Sequence, residues 1–111
     1  MTVRVNRLAT GALAFSVLAF GSASTGAAPR VHGIDIDKLA FGPAPKGLHV
    51  NDIIEWKNAD IFRHTATAAD GSFDVDLPAG AKGRTILKRN GVVDYFCRFH
   101  PGMQGRLVVA P

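Results

Sequence analysis

Cys97, His100 and Met103 stand within seven residues of one another, in the spacing C-x-x-H-x-x-M. This spacing restricts the fold more than any other stretch of the chain. A strand ending at Cys97 delivers its sulfur at the edge of a sheet, and the next two residues turn the chain so that the His100 ring faces the same point. Gly102 relaxes the backbone, and Met103 returns its sulfur from the side. Three donors on one tight loop lose little chain entropy when they meet. A fourth must come from a neighbouring strand. His64, in the stretch Phe62-Arg63-His64-Thr65-Ala66-Thr67, lies 33 positions upstream of Cys97 and is the candidate.

A Cys, two His and a weak axial Met make up the trigonal ligand set of blue-copper electron-transfer sites. Soft sulfur suits cuprous ion and imidazole suits both oxidation states. The expected centre is one copper ion held by His64, Cys97, His100 and Met103. Taken singly these residues say less. A lone Cys is more often a small buried apolar residue, and His64 alone would be an ordinary strand residue. His32 and His49 have no partner motif and read as solvated strand positions.

The usual staple of an exported domain is a disulfide, and a single chain with Cys97 as its one cysteine cannot make it. Export itself is signalled at the start. Arg4 and Arg7 form a basic region, residues 8–20 are apolar, and small residues follow through Ala28. That is the pattern of a signal peptide over residues 1–27, cleaved near Ala27, and the apolar run is too short to span a membrane. The expected domain is then 28–111, about 84 residues, a size at which a bound metal adds useful stability. The formal net charge of the whole chain is +4, and the two N-terminal arginines leave with the signal. No basic run or aromatic series accompanies this mild charge, which excludes nucleic acid as a partner.

The rest of the chain reads as short strands. Residues 31–37 alternate apolar and polar, the period of a half-buried strand. Residues 42–47 are a Gly/Pro loop. Residues 48–57 predict a strand with Val50, Ile54 and Trp56 facing in, and residues 58–60 a turn. Residues 63–68 and 73–77 predict two more strands. Residues 84–89 and 92–97 flank Asn90-Gly91, a hairpin signal. On the second of these, Val93, Tyr95 and Cys97 share the inner face, while Asp94 marks the wetter face that Phe96 shares. A last strand covers 105–110. Seven or eight short strands, with no convincing helix, predict an all-β sandwich or barrel.

The motifs Ile53-Ile54-Glu55-Trp56-Lys57-Asn58-Ala59-Asp60, His64-Thr65 and Tyr95-Phe96-Cys97-x-x-His100-x-x-Met103 resemble the small cupredoxins, the group of plastocyanin, pseudoazurin and amicyanin. The resemblance covers residues 34–109, and the short loop between His100 and Met103 is most similar to amicyanin. It implies a Greek-key β-sandwich with copper at one end. It also implies that His64 and His100 bind through Nδ1, Cys97 through its thiolate and Met103 axially. The amicyanin loop has Pro two residues after the Cys, where this chain has Phe99. Pro lacks an amide hydrogen and Phe99 has one. The Phe99 N–H is therefore expected to join Thr65 N–H as a donor to the Cys97 sulfur, raising the reduction potential.

The leading functional expectation is a periplasmic, monomeric electron shuttle, not an enzyme. The edge of His100 would be its electron port, with Phe99, Pro101 and Gly102 as a docking patch. Arg63 and Arg98 would form a basic rim for an acidic redox partner such as a cytochrome or dehydrogenase. Phe96 is a second, weaker exit. The alternative is periplasmic copper binding and delivery, which the missing Met- or His-rich tract disfavours. A multicopper or nitrite-reductase type of enzyme would need ligands that this chain does not spare.

Overall fold

The computed structural model describes residues 1–4, 9–21 and 28–111. The expected signal cleavage near Ala27 lies outside these residues. No helix among the described residues is long and apolar enough to cross a membrane.

Nine strands form among the described residues: β1 (Val31–Asp37), β2 (Ala40–Phe41), β3 (Leu48–His49), β4 (Ile53–Asn58), β5 (His64–Ala68), β6 (Asp74–Leu77), β7 (Lys82–Ile86), β8 (Gly91–Phe96) and β9 (Gln104–Ala110). They make a four-stranded sheet, β2-β1-β4-β7, and a five-stranded sheet, β3-β9-β8-β5-β6. Each sheet is mixed. β1 runs parallel to β4 and β3 parallel to β9, while the other pairs are antiparallel. The expected sandwich is present. Its strand count exceeds the seven or eight expected because two-residue β2 and β3 were not separable by pattern.

The alternation read from sequence holds where the core is. Ile34, Ile36, Ile54, Trp56, Val93, Tyr95, Leu107 and Val109 are buried between the sheets. Trp56 donates its indole N–H to Thr85 Oγ1 at 3.0 Å, which satisfies its polar atom in the interior. Phe41, Trp56 and Tyr95 meet edge to face, with centroids 4.8–5.9 Å apart. Gly105 is required opposite Tyr95, because a Cβ there would overlap the phenol ring.

Two local expectations fail. The strand expected over 48–57 is broken at residues 50–52, where Asn51 takes a positive φ of 77°. The Asp52 carboxylate fixes the break. It accepts the N–H groups of Arg30 and His49, each at 3.0 Å, and meets His32 Nε2 at 3.1 Å. Those bonds, the Arg30 N–H foremost, hold its pKa below the usual carboxylate value. His32 is thus a partner of a buried aspartate, not a solvated strand residue.

The second failure is Asn90-Gly91. β7 and β8 do not pair; they lie in different sheets. Leu87 instead exchanges backbone bonds with the break before β4, its N–H to Asp52 C=O at 2.9 Å and its C=O from Asn51 N–H at 2.7 Å. The chain therefore leaves one sheet at Ile86 and enters the other at Gly91, where φ is 105°. This crossover carries β8 back beside β5, and so brings Cys97 to His64.

Candidate metal centre

β4 ends at Asn58, and the turn that follows is built by side-chain hydrogen bonds. Asn58 Nδ2 donates to the carbonyls of Phe62 and Leu77 at 2.8 and 2.9 Å, and its Oδ1 accepts Asp60 N–H at 2.9 Å. This fixes the entry to β5, whose first residue is His64. On the other side β8 ends at Phe96 and the ligand loop begins. Cys97 N–H donates to Met103 C=O at 3.0 Å and Met103 N–H to His100 C=O at 3.1 Å. Gly102, with φ of 87°, permits the closure.

His64 Nδ1 lies 3.1 Å from His100 Nδ1, and the Cys97 sulfur lies 3.8 Å from the first and 3.5 Å from the second. The centre of that triangle is about 2 Å from each donor, the length of a metal–imidazole bond and slightly under a metal–thiolate bond. A metal ion fits this donor set. Cys97 and His64 are buried and His100 is partly exposed, so one edge of the centre reaches the surface. Met103 is also buried, in the same apolar cluster as Cys97.

The orientation of His64 is set from behind. Its Nε2 lies 3.0 Å from Asp60 Oδ2. A carboxylate only accepts, so the ring proton sits on Nε2 and the Nδ1 lone pair faces Cys97 and His100. Asp60 Oδ2 also accepts Leu39 N–H at 2.9 Å, and Oδ1 accepts Ile61 N–H at 2.9 Å. The Leu39 bond, then His64, lowers the Asp60 pKa. Leu39 and Lys38 both have positive φ, 60° and 52°, in the tight β1–β2 turn that brings this amide to Asp60. Sequence reasoning treated Asp60 and Asn58 as turn residues only. The one available signal was the position of Asp60 four residues before His64.

The Cys97 thiol is poised to ionise. Burial pushes its pKa up, but the hydrogen bond with His100, the N–H groups of Thr65 and Phe99, and the contact with His64 outweigh this and bring it to about 6. Thr65 N–H donates to the sulfur at 3.3 Å. The Phe99 N–H contributes less than that of Thr65.

The arginines expected to form a basic rim are engaged. Arg63 pairs with Asp76 at 3.1 Å and Arg98 with Asp74 at 3.2 Å. Apolar groups are more prominent near His100 than the sequence suggested. Phe62 stands edge-on to the His100 ring at 6.1 Å, and Ile61, Phe62 and Phe99 are exposed. His49 is exposed, with Nδ1 3.0 Å from Gly47 C=O, and joins no metal-binding group among the described residues.

Solved structures share this architecture. A reduced amicyanin variant with phenylalanine in place of a proline is 24% identical, with TM-score 0.61 over 81% of this chain and 90% of that one. A second reduced amicyanin variant is 22% identical, with TM-score 0.60 over 75% of this chain and 85% of that one. The chain has the cupredoxin fold. The same cupredoxin unit matches part of a copper-containing nitrite reductase from Thermus scotoductus SA-01, at 24% identity and TM-score 0.63, over 76% of this chain and 23% of that one. No protein-family profile and no curated protein matches the sequence. Among the described residues, His64, Cys97 and His100 are the group of His, Cys and acidic side chains that could hold a metal ion.

Proposed function

We propose that this chain is an exported blue copper protein that carries single electrons between redox proteins in the periplasm. The observation that carries the reading is the triangle of two imidazole nitrogens and one sulfur, with sides of 3.1, 3.5 and 3.8 Å, in which His64 and Cys97 are buried. Bound copper supplies one-electron chemistry between its cupric and cuprous states. The chain's own residues hold the donors still. Asp60 aims His64, the loop bonds of Met103 aim Cys97 and His100, and the sandwich excludes water from all but the His100 edge. A rigid donor set of this kind accepts either oxidation state without large rearrangement. Met103 would hold the ion through its thioether sulfur.

Electrons pass at the His100 edge, and the partner docks on the apolar surface formed by Ile61, Phe62, Phe99 and Pro101. Because Arg63 and Arg98 are each tied to an aspartate, charge steering is weaker than a free basic rim would give. Reaction rates with the physiological partner are therefore expected to fall only slightly with added salt. A steep fall would assign the docking to charge instead. The full burial of His64, 0% exposed, also disfavours copper delivery, which needs ligands that a recipient can reach.

The deciding experiment is the visible and EPR spectrum of the domain loaded with cupric ion. An intense blue band with narrow copper hyperfine splitting is expected. A colourless sample, or the broad splitting of an ordinary tetragonal copper site, would refute the proposal.

A further inference from the structure

The backbone ladder between β5 and β8 is short. It pairs Thr67 with Phe96 and Ala68 with Tyr95. Toward the metal centre it stops, and His64, Thr65 and Ala66 continue beside Cys97 and Arg98 without ladder pairing. Side-chain bonds take over there. Thr65 N–H donates to the Cys97 sulfur at 3.3 Å, and Arg98 N–H donates to Thr65 Oγ1 at 2.9 Å.

The second of these bonds belongs to a closed ring. Thr65 Oγ1 lies 2.9 Å from Thr67 Oγ1, and Thr67 Oγ1 lies 2.7 Å from Asp74 Oδ1. The same Asp74 oxygen accepts Arg98 Nε–H at 3.2 Å. Chemistry fixes the direction. The carboxylate only accepts, so the Thr67 hydroxyl donates to Asp74. That uses the one hydroxyl proton of Thr67, so the Thr65 hydroxyl donates to Thr67. The Thr65 oxygen is then left to accept the amide of Arg98. The ring starts and ends at Arg98, the residue after Cys97. Hydrogen bonds aligned head to tail polarise one another, so the charge on Asp74 tightens the hold of Thr65 on that amide.

We propose that Thr67 and Asp74 are positioning residues for the metal centre: their ring on Arg98 holds Cys97 against β5 where the ladder has ended, and so keeps the sulfur at binding distance from the two imidazoles. This inference rests on the copper reading above. Neither residue touches a donor, and both act through Thr65 and Arg98.

Thr67→Val removes the hydroxyl at nearly constant shape, Thr67→Ser restores it, and Asp74→Asn removes the charge. Two measurements apply to each. In the domain without metal, amide hydrogen exchange at Arg98 is expected to be several-fold faster in Thr67→Val than in wild type, while the thermal midpoint changes little. In the copper-loaded domain, release to a strong chelator is expected to be about tenfold faster, as for loss of an outer partner of a metal ligand. Asp74→Asn should shift both in the same direction, and Thr67→Ser should return both to wild-type values. Wild-type exchange or wild-type copper release in Thr67→Val and Asp74→Asn overturns the proposal, as does failure of Thr67→Ser to rescue. A wild-type domain that takes up no copper removes the underlying reading as well. A copper-binding wild type with unaltered variants removes this inference alone.

Discussion

Replacing Asn58 with alanine tests whether the turn before His64 is held as described. Asn58 is 2% exposed. Its Nδ2 donates to the carbonyls of Phe62, Leu77 and Pro78 at 2.8, 2.9 and 3.3 Å, and its Oδ1 accepts Asp60 N–H at 2.9 Å. The substitution strips all four bonds and leaves their partners unpaired at the junction of β4, the turn and β6. A hydrogen bond is worth about 1 kcal/mol net, and the long Pro78 contact contributes least, so a loss of about 3 kcal/mol is expected. For a domain of this size that corresponds to a fall in thermal midpoint on the order of 15 °C. The assay is thermal and urea unfolding of the domain without metal, followed by circular dichroism. Asn58→Asp is the sharper comparison. It keeps the shape but turns an oxygen toward three carbonyl oxygens, and should destabilise at least as much as alanine. An alanine variant melting within about 2 °C of wild type, where the hydrogen-bond estimate requires several times that, would refute the reasoning. So would an aspartate variant as stable as wild type.

Asp60→Asn should weaken metal binding by about 10–100-fold and raise the copper midpoint potential, because His64 loses the carboxylate that enhances its basicity; competitive zinc titration and voltammetry measure the two, and unchanged affinity would count against Asp60 as an orienting group. The thiol of Cys97 has its pKa lowered from 9.0 to about 6 in the folded domain. A lowered folded pKa stabilises the fold above the unfolded value and loses that contribution as pH falls through the folded one. The domain without metal should therefore gain about 1.4 kcal/mol per pH unit from about pH 6 to about pH 9 relative to Cys97→Ser; parallel pH dependence in the two proteins would reject the ionised thiol. Phe99→Pro removes an amide that helps stabilise the sulfur charge, so its midpoint potential should fall by a small amount; an unchanged or higher value would show that this amide has no role.

The meeting of Cys97 and His100 on one loop was legible because its chemistry is local. Cys97 and His100 announce themselves by spacing, and His64 followed from the demand for one more imidazole on a neighbouring strand. The burial of Trp56, Val93 and Tyr95 was legible for a similar reason, since a period of two needs only adjacent residues. What could not be read depends on partners distant in sequence. Asn90-Gly91 has the local preference of a hairpin, but the bonds of Leu87 to residues 51 and 52 direct β7 away from β8. Asp60 looks like any turn aspartate until the fold sets Leu39 and His64 on the same oxygen. Arg63 and Arg98 looked free because Asp74 and Asp76 belong to a strand whose register the sequence did not supply.

The position of β9 bears on how the protein matures. It follows the ligand loop in the chain, yet it lies inside the five-stranded sheet, between β3 and β8. Neither neighbour can complete its pairing before residues 104–110 are in place. The sheet beside Cys97 therefore closes on this side only after the loop of candidate ligands has itself been made, and an ion meets the finished donor set only once β9 has docked.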